Sequence, residues 1–134
     1  MLFMSKQLQR RNRQPALPEI AQAEVARLLR SLPADLRARA QAIPVTFESA
    51  PTRAMLADGL ESDTLGLFIG EEFPASAAGG AALPAQILLF LDTLWAYADY
   101  DPAAFRREVR KTVLHELGHY LGLDERDLEA RRLD

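Results

Sequence analysis

Residues 101–122 carry a complete set of helix signals, and they constrain the fold more than any other stretch. The Asp101 carboxylate can cap a helix, and Pro102 suits the first helical position. Phe105, Val109, Val113, Leu117 and Leu121 then recur every four residues, which draws one apolar stripe along a helix. Gly122 can take positive φ without penalty and ends the run. A helix over 102–121 is about 30 Å long, roughly the diameter of a small domain. The chain has 134 residues, one domain's worth, so its remaining elements must pack against that stripe.

Those other elements are shorter. Residues 18–32 read as a helix, with Pro18 at its start, Ile20, Val25, Leu28, Leu29 and Leu32 at helical spacing, and Pro33 as its stop. Residues 36–42 suggest one short turn. Residues 45–48 alternate as a strand does, and 50–63 read as loop or short helix. The segment LGLFI, 65–69, is a second strand bounded by Gly70, and ILLFL, 87–91, is a third. The third is apolar throughout and therefore expected to be covered on both faces. Between them, 71–83 holds Pro74, Gly79, Gly80 and many alanines and reads as a long loop. The charged residues 124–134 suggest one short helix. The expected fold is α+β: a small mixed sheet packed with a long C-terminal helix.

Residues 1–17 form a basic arm through Lys6, Arg10, Arg11 and Arg13, expected as a solvated tail preceding a single domain over 18–134. The net charge of −3 gives no overall basic field, so nucleic acid is not an expected partner. No apolar run is long enough to span a bilayer, and the first residues lack the apolar core of a secretion signal. The expected location is the cytoplasm. There is no cysteine, which excludes disulfides, thiolate metal sites and thiol nucleophiles. Any metal must be held by His, Asp or Glu.

The chain's two histidines both lie near the end of the long helix, in His115-Glu116-Leu117-Gly118-His119. Positions i and i+4 project from one helical face, one turn apart, where a single Zn²⁺ can take both imidazoles. They point away from the apolar stripe. Because the final turns carry little charge besides Glu116, the imidazoles are expected to face a protein-lined cleft. Glu116 lies beside the pair, where it can take a proton from water at the metal and return it to a leaving group. A third ligand must be an oxygen. Glu125, ten residues beyond His115 and just past the Gly122 turn, is the first choice, with Asp124 and Asp127 as close competitors.

HELGHYLGLDE resembles the extended motif HExxHxxGxx(H/D/E) of metzincin-type zinc peptidases. The longer stretch TVLHELGHYLGLDERDL, with LGLFIGEEF upstream and PAQILLFLDTL between, is similar to a bacterial family of minimal zincin-like metallopeptidases. The resemblance covers roughly residues 43–130 and is strongest over 112–128. It implies a compact α+β domain with zinc on His115 and His119, Glu125 at the third position, and Glu116 as general base. One departure is plain: metzincins carry a methionine turn after the motif, and the methionines here are Met1, Met4 and Met55.

The function expected from these features is metal-assisted hydrolysis of an amide in a peptide or protein substrate, with Zn²⁺ as cofactor. Strand 87–91 is a candidate edge for binding an extended peptide. Tyr97, Tyr100 and Tyr120 are candidate partners for the oxyanion. The alternative is a non-catalytic binding or regulatory domain whose metal is structural.

Overall fold

A computed structural model describes residues 15–70 and 85–131. The basic residues of the expected arm and the 71–83 loop lie outside the described residues. The element order is α1 (Leu17–Ser31), α2 (Ala34–Ala40), β1 (Val45–Glu48), α3 (Arg53–Ala57), β2 (Gly66–Ile69), β3 (Gln86–Phe90), α4 (Leu91–Tyr97), α5 (Pro102–Leu121) and α6 (Glu125–Ala130).

The apolar run QILLF becomes the middle strand. The sheet order is β1-β3-β2, with β1 parallel and β2 antiparallel to β3. Both ladders of β3 are therefore occupied, and the expectation that it offers an edge to a peptide is corrected: among the described residues, the outer strands are β1 and β2. Period-two alternation divides the strand's side chains between two cores. Ile87 and Leu89 face the helices with Phe68, while Leu88 and Phe90 face Met55, Leu67 and Ile69 on the other side. That two-sided burial explains an uninterrupted apolar strand.

The long helix α5 spans 102–121 as the sequence predicts. Asp101 caps it, its Oδ2 accepting from the Ala104 amide at 2.9 Å. Phe105, Val109 and Val113 are fully buried, and α5 packs on α1, α4 and the sheet. Burial of each such side chain is worth about 1.5–3 kcal/mol relative to exposure. Helix α1 begins at Leu17, a buried residue that the sequence reading placed in the arm. It ends where Pro33 forces Leu32 into extended backbone, φ −72° and ψ 147°.

Helix α4 was not expected. Its LDTLWAY sequence is only seven residues long and follows β3 without a loop, so Leu91 is helical where the apolar run suggested strand. Leu91, Leu94, Trp95 and Ala98 supply its buried side. The turn into α5 holds two non-glycine residues in the left-handed region, Asp99 at φ 55° and Tyr100 at φ 59°, a strained arrangement that needs outside support. The support is visible: the Tyr100 amide donates to the Trp95 carbonyl at 2.9 Å, and the Tyr100 ring packs edge-on to Trp95. Among the described residues, no helix is long and apolar enough to cross a membrane.

Candidate metal centre

Helix α5 ends in a Schellman turn. Gly122 takes φ +75°, the Leu123 amide donates to the Gly118 carbonyl at 2.7 Å, and the Gly122 amide donates to that of His119 at 3.2 Å. The chain thereby reverses, and α6 returns along one flank of α5. Leu128 anchors it, 7% exposed and packed into the main core. An ion pair of 3.6 Å between Arg131 and Asp35 joins the end of α6 to α2, at an exposed and hence weak contact.

His115 and His119 face the same way, their ring centroids 4.6 Å apart and their planes 50° apart. Both are exposed, His115 with 51% of its side chain accessible. The expected protein-lined cleft is thus corrected to an open groove. Its walls are the two imidazoles, Gly122, Leu123, Asp124, Glu125 and Leu128. The reason is that α6 covers only the Leu114–Gly118 flank of α5. Three sides of the helix end are buried, as the low charge suggested, and the histidines occupy the fourth.

Glu116 lies on a different side of the helix and is 4% exposed. Its neighbours one turn away on the same stripe are Thr112 and Tyr120. Both meet β2: Tyr120 stacks on Phe68 at 5.5 Å, and Thr112 Cγ2 would lie 2.7 Å from a Cβ built on Gly66. The carboxylate therefore belongs to the flank turned toward strand β2, beside the histidines and recessed behind them. Gly66 is the residue that lets the strand come this close, a role its place in LGLFI did not disclose.

The three candidate acids separate clearly. Asp124 Oδ1 accepts from the Asp127 amide at 2.9 Å, and Asp127 Oδ2 accepts from the Asp124 amide at 3.0 Å. This capping box starts α6 and occupies both aspartates. Glu125 instead brings Oε1 within 3.5 Å of His115 Nδ1, with 87% of its side chain exposed. Of the three tyrosines, Tyr120 is held against Phe68, Tyr100 against Trp95, and Tyr97 is exposed.

The donor chemistry suits zinc: two imidazoles and a carboxylate on one groove, with no sulfur. Two ligand atoms sharing a tetrahedral zinc at 2.0–2.1 Å lie about 3.3–3.4 Å apart. The 3.5 Å between His115 and Glu125 is close to that span. Among the described residues, no three such side chains yet converge as a finished cage.

Residues 40–133 match the family model described as zincin-like metallopeptidase, and the chain belongs to that family. No curated protein matches it.

Proposed function

We propose that this member of the zincin-like metallopeptidases is a zinc-dependent peptidase, with His115, His119 and Glu125 as metal ligands and Glu116 as general base. The observation that carries the reading is the pairing of His115 with both His119 and Glu125 at one end of α5, with Glu116 one residue along the same helix. The histidines border an open groove, Glu125 reaches back to His115, and Glu116 is buried alongside. Family membership supports zinc chemistry of this class. The openness of the groove favours catalysis over a structural metal, because structural zinc sites are closed by four protein ligands.

Bound there, zinc supplies Lewis acidity, which polarises a substrate carbonyl and acidifies water. The protein supplies the rest. Glu116 accepts the proton from the attacking water as the C–O bond forms. It then delivers that proton to the amine nitrogen as the C–N bond breaks, so the carboxylate is regenerated in each turnover. Its burial keeps competing bulk water away from the proton.

The peptide-binding edge is β2 in this reading. It is an outer strand, it packs on α5, and Phe68 stacks on Tyr120 one residue beyond His119. An extended substrate can add to it through main-chain hydrogen bonds. On the opposite side of His115, a cleft between α5 and α6 is floored by Leu114 and Leu128 and rimmed by Lys111, Arg126 and Glu129. It suits an apolar substrate side chain.

The test is a broad peptide-library digest with zinc-loaded protein, chelator-treated protein and Glu116→Gln. Cleavage by the first alone supports the reading. Zinc binding at His115 and His119 with no cleavage of any peptide overturns it and leaves a metal-stabilised binding domain.

A further inference from the structure

Gly118 stands inside the motif and brings no side chain to it. A methyl group built there would lie 3.0 Å from the Leu123 carbonyl oxygen and 3.4 Å from Leu128 Cδ1. The two contacts differ in kind. The leucine methyl ends a side chain that can turn aside. The carbonyl belongs to the backbone of the turn, whose Leu123 amide is bonded to Gly118 itself at 2.7 Å. Giving the few tenths of an ångström that a methyl group needs there shifts the turn that starts the return of α6.

What depends on that return is Glu125. It lies three residues before Leu128, one turn along the same side of α6, so the seating of Leu128 on Gly118 fixes the height at which the carboxylate meets His115. From the geometry we infer that Gly118 is a positioning residue for the third metal donor. Without a Cβ at 118, the turn and α6 close down on α5 and Glu125 reaches the histidines; with one, the carboxylate is lifted away. The inference rests on the proposed role of Glu125 as a ligand. It also runs against helix propensity, since replacing glycine in a helix interior by alanine ordinarily stabilises the helix.

The test measures zinc affinity of the full chain by competition with a chromophoric chelator, alongside circular dichroism and thermal melting of the metal-free protein. Gly118→Ala is expected to keep its helical spectrum and to bind zinc about 10–100-fold more weakly, the usual effect of disturbing a group that orients a ligand. Glu125→Gln is expected to weaken binding too. Because Gly118 acts through Glu125, the double variant should bind no more weakly than Glu125→Gln alone. Wild-type affinity in Gly118→Ala overturns the inference, as does a full additive loss in the double variant. Wild-type affinity in Glu125→Gln instead overturns the ligand assignment on which it rests. Should Gly118→Ala fail to fold, Leu128→Ala removes the seat while leaving the turn backbone intact. It is expected to lose affinity through Glu125 in the same non-additive way, and unchanged binding overturns the inference.

Discussion

Replacing Glu116 by Gln separates the chemistry proposed for this residue from any part it has in holding the fold. The side chain is 4% exposed, so the substitution is made in a nearly closed space. Gln matches Glu in size and leaves no cavity, which removes the usual cause of a large loss in core variants. It also keeps one acceptor oxygen and puts an amide donor in place of the other. Metal-free Glu116→Gln is therefore expected to fold with a stability close to that of the wild type. A change of about 1 kcal/mol would move the melting midpoint by roughly 3–5 °C in a chain of this size. Zinc content should be unchanged, because Glu116 is not a ligand in this assignment. Turnover should fall by about 10²–10⁴-fold, the worth of a general base, which corresponds to roughly 3–5.5 kcal/mol in the barrier. The assays are elemental analysis, a melting curve of the metal-free protein, and steady-state cleavage of a peptide found in the library digest. A melting midpoint lowered by several degrees would refute the reasoning, since the carboxylate would then be a structural partner. So would loss of zinc, which would make it a ligand.

Other expectations follow from the same geometry. His115→Ala and His119→Ala should each abolish tight zinc binding, and full zinc content in both by elemental analysis would put the metal elsewhere. Gly66→Ala places a methyl 2.7 Å from Thr112 Cγ2 and should destabilise by about 1–3 kcal/mol in urea unfolding. Thr112→Ser in the same background removes that methyl and should recover part of the loss; no recovery would show that the crowding lies elsewhere. Asp124→Ala should cost about 1 kcal/mol through loss of the cap and weaken zinc binding only modestly, with excess zinc restoring it. A loss of zinc as complete as that of the histidine variants would make Asp124 the ligand.

The elements that the sequence specifies locally were legible in it. Asp101, Pro102 and Gly122 mark the bounds of α5 through their own backbone chemistry, and the i, i+4 apolar stripe marks its buried face. The burial of β3 on both faces was readable from its uninterrupted apolar run. Strand order was not, because an apolar run buried on both faces does not say which neighbours supply its hydrogen bonds. Helix α4 escaped because its pattern of Leu91, Leu94, Trp95 and Ala98 at i, i+3, i+4 and i+7 is short and starts on the last residue of an apolar run that reads as strand. In the site, the spacing of His115 and His119 sufficed to place them together. The open groove was not foreseen, since apolar neighbours in sequence can cover three flanks of a helix and leave the fourth to solvent. The Asp124-to-Asp127 spacing did carry a capping signal, which separates Glu125 from its competitors once it is read as backbone chemistry. The tight approaches at Gly66 and Gly118 depend on what arrives from elsewhere in the fold.

All the proposed donors fall within residues 115–125, on one helix end and the turn that follows it. This compactness bears on how a metal ion leaves. In a site whose ligands come from distant strands, release must wait for large-scale loosening of the domain. Here Glu125 is carried by a six-residue helix anchored by Leu128 and an exposed ion pair, and such a segment can open locally while the sheet and the rest of α5 stay folded. With Glu125 as a ligand, as proposed, the dwell time of the metal would be governed by the fraying of α6. Exchange with chelators should be far faster than global unfolding, and it should slow when a bound substrate pins that helix in place.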